Sequence, residues 1–389
     1  MAATTRASIV GAHEHETRFA PEKSALILAA ESVERALADA GLGKADVDGI
    51  LLGGDSMSAI QFAEYLGLHP RFFDSTSVGG SSYEVHVRHA VAALAAGYCE
   101  VAVLAYGSNA RSLKTPIGTG ARLAGGPDPY AVNAGEHFDT PYGVTIIGNY
   151  AMVAQRHMHE FGTTREQLAE IAVVTRRHAM LNPSAVLRDP ITVEDVINAR
   201  PVAAPLHLLD CCIITDGAGA IVMTTAERAR NCAKAPVWVL GSGEAVVHQD
   251  LGYRDLMRMA AHQSAPAAFE EAGIRHADVD FAMIYDSFTI TVLLTLEALG
   301  FCGRGEGGAF VQGGRIALGG ELPINLDGGG LCSNHPGRRG IFLLIEAVRQ
   351  LRGECGERQV TDARIGICHG TGGLLGARHS GGTVIVGRD

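Results

Sequence analysis

The chain has 389 residues, 47% of them apolar, with 49 glycines and a single tryptophan, enough to bury a large core among many tight turns. Two domains of similar size are the expectation at this length. A net charge of −10 and the lack of any lysine or arginine run argue against nucleic-acid binding. The eight cysteines are scattered, with no C-x-x-C pair, which argues against a disulfide framework and against a structural zinc site. No apolar run reaches membrane-spanning length, and no secretory leader is read at the start, so a reducing cytoplasm is the expected compartment.

The first predicted element is a strand, Ser8 to Gly11, ending in a loop that carries His13-Glu-His-Glu16. Two histidines two residues apart can chelate a metal. No further ligands lie nearby in the sequence, so a solvated loop and no metal are expected. Residues 24–40 follow with helical periodicity and stop at Gly41, and Val47 to Leu52 reads as a buried strand. Thr76-Ser-Val-Gly-Gly-Ser-Ser-Tyr-Glu84 then enters an alanine-rich helix that runs to Gly97. Ser81 and Glu84 have capping-box spacing, with Ser81 as the N-cap. Gly79 and Gly80 allow a ligand to approach the backbone at this helix start. Val101 to Tyr106 is the next strand.

The region from about 107 to 200 changes character and reads as a covering insertion. Residues 107–145 are rich in Gly, Pro and Asn, and two helices follow, Ile146–Phe161 and Thr164–Met180. The main pattern resumes at Leu208 and leads into a strand, Ile221 to Thr224. A linker at Cys232–Pro236 separates an N-terminal half, 1–232, from a C-terminal half, 236–389.

The second half repeats motifs of the first in the same order. Ala40-Gly41 before Ala45-Asp-Val-Asp48 is matched by Ala272-Gly273 before Ala277-Asp-Val-Asp280, and Ala90-Val91 with Leu94 by Ala347-Val348 with Leu351. An internal duplication of a β/α unit accounts for this. It aligns the Gly79-Gly80 helix start with a second one, reached through the glycine-rich loop Asn325–Gly340. That loop, expected to be non-helical, delivers His335 to a helix whose residues Phe342, Ile345, Val348 and Leu351 share one face. Free N–H groups and the positive end of the helix dipole meet there, which suits an anionic or carbonyl oxygen, and a histidine so placed suits acid–base work. Tyr285-Asp-Ser-Phe288 and Cys368-His-Gly-Thr-Gly-Gly373 each leave a strand at its C-terminal end, where ligands gather in α/β sheets.

In this order and spacing, Asp46-Val-Asp-Gly49, Gly80-Ser-Ser82, Tyr142-Gly143, Asn182-Pro183, the run Leu209-Asp-Cys-Cys212 continuing to Asp216-Gly217, Tyr285-Asp-Ser-Phe288, Asn334-His-Pro336 with Gly340, and Cys368 with Gly370 resemble one family along essentially the whole chain. The chain resembles the thiolase superfamily, and within it the sterol-carrier-protein-type thiolases with their related lipid-transfer proteins and aldolases. The resemblance implies an α/β fold of two repeats in five αβαβα layers with an inserted loop domain. It also implies an acyl-CoA substrate, no cofactor beyond that coenzyme A, and a homodimer. The related aldolases often work with a small OB-fold and zinc-ribbon subunit that binds the CoA end, so a separate partner of that kind is expected.

Residue by residue, the resemblance places His335 where the family's histidine activates the nucleophile and holds the thioester oxygen. Cys368 falls on the acid/base cysteine, and Tyr285 and Asp286 on the pair that completes the oxyanion site. Asn334 and Gly370 enter the expected substrate-binding set through the same motifs, with Ser77, Gly79 and Gly80. The chain departs from the family at its nucleophile. A thiolase of this branch carries its acylated cysteine in a Cys-x-x-Gly-Ser-Ser run, where the helix start lowers the thiol pKa. Here Ser77 holds that register, and a serine gains far less from a helix end. Retro-aldol cleavage of a 3-hydroxyacyl-CoA needs no acyl-enzyme and is the expected chemistry. Tyr285 is assigned to proton transfer at the hydroxyl, His335 to the enolate oxygen, and Cys368 or His369 to the carbon. A non-catalytic acyl-CoA carrier and a Ser77-based acyltransferase are the alternatives.

Overall fold

The computed structural model describes residues 7–54, 57–115, 145–248 and 255–389. Most of the 107–145 stretch, with the Tyr142-Gly143 motif, lies outside them. In the first half the strands are β1 (Ala7–Glu14), β2 (Gly49–Leu52), β3 (Phe72–Asp74), β4 (Val101–Ser108), the small hairpin β5 (Pro201–Ala203) and β6 (Leu206–His207), and β7 (Gly217–Thr225). The second half adds β8 (Val237–Val247), β9 (Phe281–Ile284), β10 (Ile365–Leu374) and β11 (Ala377–Gly387). The helices are α1 (Ala25–Ala40), α2 (Ser58–Leu66), α3 (Ser82–Ala95), α4 (Ile146–Phe161), α5 (Arg165–Met180), α6 (Val193–Asn198) and the short α7 (Ala226–Ala229). They continue with α8 (Ala261–Ala272), α9 (Thr289–Leu299), the short α10 (Gly307–Phe310) and α11 (Gly340–Arg352).

Nine strands form one sheet in the order β3-β2-β4-β7-β1-β8-β11-β10-β9. The middle is the short antiparallel pairing of β1 with β8, Ser8 to Trp238 and Ile9 to Val237. Working outward from it, each side repeats the same pairings. β1–β7 and β8–β11 are antiparallel, as are β7–β4 and β11–β10, while β4–β2 and β10–β9 are parallel. Helices α3 and α11 pack on each other and on strands of both sides, whereas α1 covers β1, β4 and β7 and α8 covers β8 and β11. The half-sheets therefore close around α3 and α11, giving five layers, αβαβα.

Strands sandwiched in this way are buried on both faces and read as continuous apolar runs. In β4, Ala102, Leu104 and Tyr106 join the central cluster around Tyr83 and Phe342, while Val101, Val103 and Ala105 face α1. The glycines let the outer helices press onto the sheet. A Cβ at Gly11 would stand 2.1 Å from the Ala36 carbonyl of α1, and one at Gly243 would stand 2.0 Å from the Ser264 carbonyl of α8. Helices α4, α5 and α9 share the largest apolar cluster, on the outer side of the second half.

Three local expectations are corrected. β1 continues through Glu14, which is buried, so the expected charged loop begins only beyond it. The glycine-rich loop before α11 contains a π-helical turn at Gly329–Ser333. The capping box at α3 does not form, because the Ser81 hydroxyl instead contacts the Val78 carbonyl at 3.3 Å and the Ser380 hydroxyl at 2.8 Å.

Candidate active site

The two central helix starts face each other across the carboxyl ends of β9 and β10. Alternation along β9 puts Phe281 and Met283 in the central cluster, and Tyr285 follows them on that side. The Tyr285 backbone N–H donates to the His369 carbonyl at 3.0 Å, fixing the chain where it leaves the sheet. The Tyr285 hydroxyl then meets His335 Nε2 at 3.0 Å, with the two rings edge to face. Gly80 seats the Tyr285 ring, since a Cβ there would lie 2.4 Å from Tyr285 Cε2 and 2.4 Å from the Thr371 carbonyl.

A buried polar network fixes His335. The Thr215 hydroxyl accepts from the His335 backbone N–H at 3.0 Å and donates to Asn334 Oδ1 at 2.6 Å, while Asn334 Nδ2 donates to Glu14 at 3.1 Å. The Tyr106 hydroxyl donates to the Pro336 carbonyl at 2.6 Å. Beneath the π-helical turn, Arg339 is fully buried and binds Asp327 through Nη2 at 2.7 and 2.6 Å and the Asn334 carbonyl through Nη1 at 2.9 Å. Its Nε lies 3.2 Å from Asp286, near enough for an ion pair but off-line for a hydrogen bond. Asp286 also accepts from the backbone N–H groups of Gly330 and Leu331 at 2.7 and 3.2 Å. A Cβ at Gly329, whose φ is +63°, would fall 2.0 Å from that carboxylate, so glycine is required there.

The dyad is neutral. Burial, reinforced by the Arg339 charge, pushes His335 down to about 4. Burial pushes the Tyr285 phenol well above its ordinary value. At neutral pH an uncharged imidazole with a free lone pair faces an intact phenol, which suits proton relay. Burial also pushes the Cys368 thiol well up, so it holds its proton rather than acting as a nucleophilic thiolate.

The structure brings together Tyr285, His335, Gly79 and Gly80, and it places Cys368 on the same inner face of β10. The remaining candidates are corrected. The Asp286 carboxylate is engaged by the π-helical turn and Arg339, and the Asn334 amide by Thr215 and Glu14, contacts that brace the His335 loop from behind. His369 alternates with Cys368 and points to the outer face, where its Nδ1 meets the Thr383 hydroxyl at 2.9 Å. Gly370 is a packing position, since a Cβ there would stand 2.0 Å from Glu84 Oε2. Ser77 is exposed, and no hydrogen bond among the described residues joins it to His335. Sequence reasoning missed Thr215, Asp327, Arg339 and the buried role of Glu14. The only signal for Arg339 was its place in the motif that carries His335. Among the described residues no cluster of His, Cys, Asp and Glu is placed to hold a metal, and no helix is long and apolar enough to cross a membrane.

Residues 243–388 match the family model for the thiolase C-terminal domain. The chain is 37% identical to the 17-hydroxy-3-oxo-4-pregnene-20-carboxyl-CoA lyase of Mycobacterium tuberculosis, over 90% of this chain and 92% of the relative. This chain belongs to the thiolase superfamily. It sits in the sterol-carrier-protein-type and aldolase branch and is an enzyme of that superfamily. It is 35% identical to an acetyl-CoA acetyltransferase of Methanothermobacter thermautotrophicus, with 90% of each chain covered. Among solved structures, a Ltp2-ChsH2(DUF35) aldolase superposes with a TM-score of 0.87 at 34% identity, covering 99% of this chain and 98% of the other. This superfamily member thus has both lyase-named and transferase-named relatives, and the site must decide between them.

Proposed function

We propose that this thiolase-superfamily enzyme cleaves a carbon–carbon bond of a 3-hydroxyacyl-CoA by retro-aldol reaction, with no acyl-enzyme. The observation that carries the reading is the neutral Tyr285–His335 pair, 3.0 Å apart, set against a helix start that bears Ser77 instead of a cysteine. The substrate hydroxyl gives its proton to the Tyr285 oxygen as the phenol passes its own to His335 Nε2. This pairing shifts His335 from the enolate-oxygen role expected from sequence to that of proton acceptor. The bond between the α and β carbons breaks, leaving a ketone or aldehyde and the enolate of a shortened acyl-CoA. Backbone N–H groups of the Gly79-Gly80 helix start stabilise the enolate oxygen. Cys368, still protonated, gives its proton to the α carbon. The relatives named as lyase and aldolase support this reading over the transferase one.

Two assembly readings belong with this proposal. The solved aldolase carries a second component by name, which supports a small partner subunit for this chain as well. β3 lies at the sheet edge with Phe73 exposed near Ile60, an apolar edge suited to pairing with a second copy.

The test is mass-spectrometric product analysis with matched 3-hydroxyacyl-CoA and 3-oxoacyl-CoA panels, with and without free CoA and with and without a small partner subunit. A carbonyl product plus a shortened acyl-CoA, formed from the hydroxy series without added CoA, is expected. Cleavage of the oxo series only, dependent on CoA, would replace the aldolase with a thiolase that uses another nucleophile. Binding without turnover in either panel would leave a carrier.

A further inference from the structure

Glu84 is fully buried, and among the described residues neither of its carboxyl oxygens has a hydrogen-bond partner. An unpaired acid in a close-packed core is costly and calls for an explanation. Glycines clear the space for it. A Cβ at Gly370 would lie 2.0 Å from Oε2, one at Gly340 would lie 2.4 Å from Oε2, and one at Gly382 would lie 2.6 Å from the Glu84 Cβ. The carboxyl thus sits in the first turn of α3, against Gly340 at the start of α11 and against β10 beside Cys368.

Its location relates it to the chemistry. Cys368 and Gly370 lie on the same face of β10, two residues apart, so the acid and the thiol share that face without a direct hydrogen bond, and a proton passes between them through one water or after the thiolate turns from the Leu343 carbonyl. Gly80 separates Glu84 from the dyad. The Tyr285 ring lies in the direction of a Gly80 Cβ, while the Gly80 carbonyl would be 2.5 Å from the same Gly340 Cβ that meets Glu84 Oε2. The Cys368 thiol is fully buried and points at the Leu343 carbonyl, 3.6 Å away, so solvent cannot recharge it directly.

We propose that Glu84 is the buried proton source behind Cys368, returning a proton to the thiolate that forms when Cys368 protonates the enolate carbon. The inference rests on the retro-aldol reading. In the first step the Cys368 S–H bond breaks and a C–H bond forms at the α carbon. In the second the Glu84 O–H bond breaks and the S–H bond is restored. The cycle closes when the carboxylate takes up one proton and His335 gives up the one taken from the substrate hydroxyl, so no net proton is gained or lost. Nothing is oxidised or reduced.

The surroundings allow both states of the acid. Burial pushes Glu84 up to about 8, so it is protonated at neutral pH. The titratable groups facing it are Tyr83 on its own helix and Cys368 on β10, both themselves pushed up by burial; α11 and β11 present only Gly340 and Gly382. Among the described residues no cation is placed to neutralise the ionised form. Glu84 lies in the first turn of α3 and beside Gly340, the first residue of α11, where the helix dipoles favour the carboxylate while it lasts.

The test uses full-length protein with ¹³C-labelled glutamate, followed by infrared spectroscopy of the protonated-carboxyl band, together with deuterium incorporation at the α carbon of product acyl-CoA in D₂O. The band is expected to titrate near pH 8 and to vanish in Glu84→Gln. That variant keeps shape and neutrality. It should lose exchange and kcat by about a hundredfold, with KM within about twofold. Glu84→Gln combined with Cys368→Ser should be no slower than the slower single variant. A labelled band absent from folded wild-type protein overturns the proposal even if Glu84→Gln fails to fold. Exchange unchanged in a folded Glu84→Gln enzyme overturns the relay alone. Wild-type protein with neither exchange nor cleavage removes the aldolase reading, and the relay with it.

Discussion

The two central helices begin in equivalent places, yet their starts do different work. The α3 start has an exposed Ser77, two glycines and a buried acid that no side chain among the described residues pairs. The α11 start has the Tyr285–His335 pair, locked from behind by Arg339, Asp327, Thr215 and Asn334. In the resembling thiolases the first start supplies the nucleophile and the second assists. Here the ordered polar chemistry is concentrated at the second, and the first presents glycine backbone beside the Tyr285 ring. Duplication provides two helix termini with the same electrostatic bias, and the side chains around each determine which one reacts.

The largest expected effect strikes the second start. Tyr285→Phe removes only the hydroxyl and keeps the ring against Gly80, so its cost falls on catalysis. A loss of about a hundredfold to ten-thousandfold in kcat is expected, with little change in stability, read from steady-state kinetics alongside thermal unfolding. Unchanged turnover would move the chemistry away from this pair. Next is Arg339→Met. It leaves Asp286 and Asp327 buried without their cation, and about 3–5 kcal/mol of stability should be lost in denaturant unfolding. A loss below about 1 kcal/mol would mean that the network does not hold the second start together.

The third expectation is a pH profile of stability. Burial lowers His86, His178, His335 and His379 to about 4 and His369 to about 3. Each folded-state value is below the unfolded one, near 6.5, so the unfolded chain binds more protons and stability is lost as pH falls through 6.5. Glu84, pushed up to about 8, and Asp286, pushed up to about 6, work the other way. Their contribution is fully present below the unfolded carboxylate range and is lost as pH rises through the folded values. Asp210 shifts in the same direction as these two, His13 shifts with the lowered histidines, and His89 shifts upward beside Asp74. The unfolding midpoint should therefore peak near pH 7, where the unfolded histidines have nearly all lost their protons, and fall more steeply on the acid side, where five histidines outweigh the carboxyls. On the alkaline side Glu84 acts up to about 8 together with the raised His89, so Glu84→Gln should make that limb shallower. A midpoint that rises steadily from pH 6.5 to 8 would contradict the burial of Glu84.

Much of the scaffold was legible because its signals are local and periodic. Strand runs such as Val101 to Tyr106, the helix stop at Gly41 and the helices predicted over Ile146–Phe161 and Thr164–Met180 each depend on neighbours in sequence. Tyr285 and His335 were legible because motifs carry them. What failed depends on contacts across more than a hundred residues. Asp286 and Asn334 looked like ligands, but their partners Arg339, Thr215 and Glu14 come from separate segments. Glu84 read as a cap residue, because nothing local reveals that Gly340, Gly370 and Gly382 open a space for it. His369 is the one miss the sequence could have prevented. Adjacent strand residues face opposite sides, so it could not share the site with Cys368.

The smallest expected effect tests the first start directly. If Ser77 accepted an acyl group, it would need a base within hydrogen-bond reach. His335 Nε2 is instead occupied by the Tyr285 hydroxyl at 3.0 Å, and His335 is buried while Ser77 is exposed. Ser77→Ala removes an exposed hydroxyl, a change expected to stay within about 0.5 kcal/mol in stability. Its kcat/KM for the hydroxyacyl-CoA should stay within about twofold of wild type, because the retro-aldol route never uses that oxygen. A large fall, accompanied by a covalent acyl adduct on the wild-type protein in intact-mass spectra, would put the nucleophile back at the first start. The asymmetry between the two helices would then lie in their supporting networks, and both starts would take part in the reaction.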